Sequence, residues 1–129
     1  MKRLIATLAL ATVALAAAAC APANAAPGTP GPTVAADPNS PVVVAKDLKF
    51  TTPDVTAPAG KAFALTFENQ ESAPHNVSIY TDSSASNRLF EGEIFSSGSR
   101  VYQVPALAAG TYFFRCDVHQ EMTGTIVAK

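Results

Sequence analysis

The run from Thr111 to Cys116 has the make-up of a β-strand and delivers the chain into Cys116, His119 and Met122, a thiol, an imidazole and a thioether spaced three residues apart. Strand parity places Tyr112, Phe114 and Cys116 on one face and Phe113 and Arg115 on the other. With Arg115 expected in solvent, Cys116 points into the core. The other histidine, His75 in Ala73-Pro74-His75-Asn76-Val77, shares parity with Val77 and Ile79 and is expected to point inward at the start of another strand. Two inward donors at strand ends can meet only where the strands finish at one pole of a layered β fold, with His119 and Met122 curling over that pole.

The rest of the folded part carries the same two-residue period. From Lys61 to Glu68, Phe63, Leu65 and Phe67 alternate with Ala62, Ala64, Thr66 and Glu68, so one face lies in a core. Val42-Val43-Val44 opens a strand, Phe50 to Ala57 is punctuated by Pro53, and Pro58-Ala59-Gly60 marks a turn. Asp82 to Ser99, rich in Ser, Asn and Gly, reads as loops with one short strand or helical turn, and strands follow at Arg100 to Val104, Thr111 to Cys116 and Thr123 to Ala128. The expected fold is all-β, a Greek-key β-sandwich of about seven to eight strands with little helix. Residues 42–129 suit one small domain.

Ahead of that domain, Met1-Lys2-Arg3 is basic and Leu4 to Ala19 is uncharged and largely alanine, the shape of an export signal. The apolar stretch is shorter than the roughly 20 residues a spanning helix needs. Residues 1–25 are therefore expected to be a signal peptide, and the protein to be periplasmic or at the cell surface. Two processing routes stay open. Ala23-Asn24-Ala25 offers a small-x-small cleavage site, whereas Ala17-Ala18-Ala19-Cys20 is similar to a bacterial lipobox, in which Cys20 carries the lipid that anchors the chain to a membrane. Residues 26–41, rich in Pro, Ala and Gly, read as a disordered, extended linker.

Without Lys2 and Arg3, seven basic residues face ten acidic ones, a net charge of −3. No basic patch is interleaved with aromatics, so nucleic acid is not an expected partner. Only Cys116 remains in the folded part, which excludes an intramolecular disulfide there. Past the signal peptide, His75, Cys116, His119 and Met122 are the only residues of their types, and all four fall in the two motifs above. Thiolate and thioether suit Cu(I), while imidazoles also accommodate Cu(II), so the set accepts both oxidation states. A His₂Cys site with a distant Met is the arrangement associated with blue-copper electron transfer.

On Phe50-x-x-Pro53, Pro58-Ala59-Gly60-Lys61, Phe67-Glu68-Asn69, Pro74-His75-Asn76-Val77, Gly110 to His119 and Met122-Thr123-Gly124-Thr125, the stretch from Val42 to Lys129 resembles the small type 1 copper proteins of the cupredoxin family, of the plastocyanin and amicyanin kind. That resemblance implies one copper ion per chain, with His75, Cys116 and His119 as equatorial ligands and Met122 as the weak axial one. It gives Asn76 the task of positioning the thiolate through a hydrogen bond. The two-residue gap between His119 and Met122 is similar to that of amicyanin and shorter than that of plastocyanin. The expected function is one-electron transfer by a monomer between transient redox partners, exported or membrane-bound, with no substrate transformed. Electrons are expected to cross at the edge of His119, ringed by the apolar Ala73, Pro74, Pro105 and Val118.

Other readings weigh less. Zinc seldom takes a thioether, and a Cys–His nucleophile lacks a third, orienting group. A copper carrier or buffer, delivering the metal to an oxidase or protecting against excess, remains the alternative from a different class. Asn69, Glu71 and Asp117 are expected to solvate the surface, and Tyr80 and Tyr102 to pack.

Overall fold

The computed structural model describes residues 38–129, so the expected signal peptide, Cys20 and most of the expected linker lie outside the described residues. Among these residues are nine strands and no helix: β1 Val42–Lys46, β2 Lys49–Phe50, β3 Asp54–Ala57, β4 Phe63–His75, β5 Ser78–Tyr80, β6 Arg88–Glu91, β7 Phe95–Val104, β8 Gly110–Arg115 and β9 Thr123–Ala128. They form a four-stranded sheet, β2-β1-β4-β7, and a five-stranded sheet, β3-β9-β8-β5-β6. Pairing is parallel for β1 with β4 and for β3 with β9, and antiparallel elsewhere.

The apolar alternation read from the sequence supplies the inner faces. Phe63, Leu65 and Phe67 of β4 are buried, as are Phe114 of β8 and Ile126 of β9. Phe50 bridges the layers, with its ring 6.2 Å from that of Phe67 and 5.1 Å from that of Phe114. Offset and edge contacts of this kind add about 0.5–1.5 kcal/mol each beyond the area they bury.

Two features depart from the expected layout. The Ser- and Gly-rich stretch expected to be loops with one short strand or helical turn contains β6 as that short strand and also the first half of β7, because residues between Phe95 and Ser99 pair with β4. In addition, His75 ends β4 instead of opening the next strand. Register slips between Asn69, opposite Gly98, and Pro74, opposite Ser96, so β4 carries extra residues through a bulge. Across from it, Ser97 and Gly98 take left-handed backbone conformations with φ of 57° and 104°. The bulge is held by the buried side chain of Asn69, whose Nδ2 donates to Ala73 O (2.8 Å) and Phe95 O (2.9 Å) and whose Oδ1 accepts from Glu71 N–H (3.1 Å).

The register also sorts the loops by pole. His75 pairs with Phe95 at one end of β4, and Phe63 pairs with Val104 at the other. Pro105, which follows Val104, therefore lies at the end of the sandwich away from His75, and not beside it as the sequence reading placed it.

Candidate metal centre

At the His75 end, β4 and the segment after β8 bring three donors together. The ligand-capable atoms of His75, Cys116 and His119 all lie within 4.8 Å of one another. Cys116 Sγ is 3.7 Å from His75 Nδ1, and His119 Nδ1 is 3.1 Å from that same nitrogen. His75 and Cys116 are fully buried and His119 is half-buried. Met122, 1% exposed, is drawn in by the loop's own main chain: its N–H donates to His119 O (2.9 Å) and its carbonyl accepts from Cys116 N–H (3.0 Å). The sequence motif therefore closes into one compact turn over the pole.

Each donor is oriented by a neighbour. His75 Nε2 lies 2.9 Å from Glu71 Oε1, and a carboxylate there accepts the ring proton, leaving the Nδ1 lone pair aimed at Cys116 and His119. Glu71 reaches this position because it sits in the bulge, where its Oε1 also accepts from Leu48 N–H (3.0 Å) and its carbonyl accepts from Ser97 Oγ–H (2.8 Å). The Leu48 bond, and behind it the His75 bond, outweigh partial desolvation and hold this carboxyl below its usual range. His119 N–H donates to Cys116 Sγ at 3.4 Å, which fixes the sulfur against the loop.

Asn76, expected to hold the thiolate, works through its side chain one position further along. Its Oδ1 accepts from Asp117 N–H (2.8 Å), and its Nδ2 donates to Gly92 O (3.1 Å). Burial opposes ionisation of Asp117, but hydrogen bonds from Ser78, Asn76 and Tyr80 overcome it and keep the carboxyl below the ordinary range.

Asn69, Glu71 and Asp117 thus support the site from within, where the sequence reading had them solvating the surface. No local signal marks them, since each acts through a partner distant in the chain or through the bulge. Tyr80 and Tyr102 do pack: Tyr102 stacks on Phe67 with centroids 5.9 Å apart and donates to Glu93 O (2.7 Å), and burial pushes its pKa upward. Arg115 is half-buried, with its guanidinium 5.0 Å from the centre of the Tyr80 ring. The exposed apolar side chains near this pole include Val118 and Pro74, as expected. Leu48 and Ile94 join them, Leu48 through its bond to Glu71 and Ile94 as the neighbour of Phe95.

A buried thiol facing two imidazole nitrogens, with a thioether residue closing the loop, is a donor set that fits copper. Fold and site together define a β-sandwich metalloprotein with its metal at one pole. Comparison with known proteins agrees. The family model for the cupredoxin-like domain matches residues 5–128. The chain is 36% identical over 88 residues to amicyanin-alpha of Methylorubrum extorquens, covering 68% of this chain and 70% of that one. It is 32% identical over 100 residues to amicyanin of Paracoccus versutus, covering 76% and 73%. Among solved structures, auracyanin of Roseiflexus castenholzii superposes with a TM-score of 0.62 at 20% identity, covering 70% of this chain and 97% of that one. The crystal structure of amicyanin from Paracoccus versutus gives 0.57 at 26% identity, covering 74% and 86%. The chain belongs to the cupredoxin family. It is a small type 1 copper protein with one copper ion per chain.

Proposed function

We propose that the protein is an exported one-electron carrier in which His75, Cys116 and His119 hold the copper ion and Met122 is its weak axial donor. The bound ion supplies a Cu(II)/Cu(I) couple, and the protein transforms no substrate. The observation that carries this reading is the convergence of three donor atoms within 4.8 Å from two segments of chain. The rest is the work of the residues around them: Glu71 fixes the ring of His75, His119 N–H holds the Cys116 sulfur in place, and Phe114 with the surrounding core excludes water. Enclosure favours this over copper delivery. A hand-off site needs exposed donors, and here His75 and Cys116 are each 0% exposed.

The leader at residues 1–25 supports a periplasmic or cell-surface location, with attachment to the membrane only through lipid on Cys20 where the lipobox route is taken. The half-buried edge of His119 is the exit for the electron, and Val118, Pro74, Leu48 and Ile94 form an apolar surface for transient redox partners. Such encounters use small interfaces and separate quickly.

The test is to load residues 26–129 with Cu(II) and record the visible spectrum before and after ascorbate. Intense blue absorption that bleaches on reduction and returns on oxidation is the expected result. A colourless or irreversible product would defeat the proposal. For the contact surface, Val118→Glu should leave the colour intact and slow electron self-exchange between oxidised and reduced copies about tenfold, equivalent to about 1.4 kcal/mol, with the loss partly restored by salt. Self-exchange at the wild-type rate would remove this surface from the account.

A further inference from the structure

The carboxylate of Asp117 stands beside the metal centre without belonging to its donor set, and the side chains around it are donors aimed at it. Ser78 Oγ–H donates to Oδ2 at 2.5 Å, Asn76 Nδ2–H donates to the same oxygen at 2.9 Å, and Tyr80 Oη–H donates to Oδ1 at 2.7 Å. Arg88 Nη1 lies 3.8 Å from Oδ2. The three hydrogen-bonding residues are themselves buried, Ser78 and Asn76 at 0% exposure and Tyr80 at 3%. The Asn76 amide nitrogen can only donate, and the Ser78 and Tyr80 hydroxyls donate as well when an acceptor-only group stands between all three. An ionised carboxylate meets that demand with two oxygens. Asparagine would turn its NH₂ toward at least one of the three, and serine has a single oxygen to offer.

Asp117 is bound through its main chain as well, its N–H donating to Asn76 Oδ1 at 2.8 Å. The residue after His75 and the residue after Cys116 therefore form a closed, reciprocal pair across 41 positions of sequence. Nothing else described here joins the two donor-bearing segments by side-chain hydrogen bonds in both directions.

We infer that Asp117 is the positioning residue of the copper centre: its anion fixes the spacing between the Cys116 and His75 segments and biases the bound copper toward its oxidised state. This inference rests on the electron-carrier reading. The positioning follows from bond type, since hydrogen bonds to an ion are about twice as strong as neutral ones and hold their geometry against the change of charge at the metal. The bias follows from Coulomb's law. A fixed negative charge close to the ion favours the more positive of its two states, offset in part by Arg88 and by solvent at the Asp117 side chain, which is 19% exposed.

The experiment compares wild type with Asp117→Asn and Asp117→Ser in the full chain, exported with its own leader and loaded with copper. Both variants should keep the metal and show a displaced thiolate absorption band. Their reduction equilibrium should move about tenfold toward Cu(I), about 59 mV for one electron. In metal-free protein, the protection of the residue-117 amide hydrogen relative to each variant's own intrinsic exchange rate should fall, a change that loss of charge alone does not produce. Wild-type band, midpoint and amide protection in both variants would overturn the inference. Should neither variant fold, Ser78→Ala withdraws one donor while keeping the charge. It should shift the thiolate band and speed exchange at the Asp117 amide, and wild-type behaviour in both respects overturns the inference equally. A wild-type protein without a reversible blue signal defeats the electron-carrier reading and this inference together, whereas a blue wild type with indifferent variants defeats this inference alone.

Discussion

Replacing Cys116 with serine should abolish the visible absorption of the copper-loaded protein altogether. The colour of such a site requires a thiolate bonded to Cu(II), and a hydroxyl neither ionises as readily nor shares electron density as a soft sulfur does. The loss should extend to the reduced state, because Cu(I) prefers sulfur, so affinity for Cu(I) should fall more than affinity for Cu(II). The fold should survive, since a side chain of similar size replaces one that is 0% exposed, although the buried hydroxyl costs about 1–3 kcal/mol unless it finds a partner. His119 N–H, which reaches Sγ at 3.4 Å, is placed to supply one. Visible spectroscopy and copper competition titrations on the same preparation check both parts. A serine variant that stayed blue would take Cys116 out of the ligand set.

The second large effect is expected on stability. In Gly124→Ala the added Cβ would overlap both the ring of Phe114 and the carbonyl oxygen of Pro53. Neither can yield easily. Phe114 is 0% exposed and packs on Phe50 with centroids 5.1 Å apart, while the Pro53 carbonyl accepts a 2.6 Å hydrogen bond from Thr125 N–H. Overpacking of this kind costs about 1–3 kcal/mol and sometimes more, and in a domain of this size each kcal/mol lowers the melting midpoint by about 4–8 °C. The strain should also reach the metal, because Phe114 lies two residues before Cys116 on β8 and Gly124 two residues after Met122. Thermal unfolding followed by circular dichroism, with and without copper, makes the comparison. An alanine variant that melts with wild type would show that β3 and β9 part at little cost.

Much of this architecture could be read from residue spacing. The alternation of Phe63, Leu65 and Phe67 places the inner face of β4, parity along β8 turns Cys116 inward, and the three-residue spacing of Cys116, His119 and Met122 describes the turn that closes over the pole. The missing parts are non-local. His75 could not be assigned to the end of β4 because the bulge that carries it there depends on the buried amide of Asn69 and on the left-handed backbone of Ser97 and Gly98, on a different strand. The pairing of Phe95 to Ser99 with β4 gives strand structure to a sequence whose own composition favours turns. Glu71 and Asp117 look like ordinary surface carboxylates until folding sets His75 beside one and Ser78, Asn76 and Tyr80 around the other. Pro105 was misplaced for a related reason: proximity along a loop says nothing about which end of a ten-residue strand that loop leaves.

The strand order β3-β9-β8-β5-β6 has a temporal consequence. β9 occupies an interior place, between β3 and β8, although it is formed by residues 123–128. A polypeptide still emerging from the ribosome therefore lacks the strand that stitches its own early segment into the sheet, and pairings between such distant segments are slow to form. Met122 emerges immediately before that strand. Closure of the metal site thus waits on a strand made after the whole Cys116–Met122 loop, and the pole is complete only once that last stitch is in place.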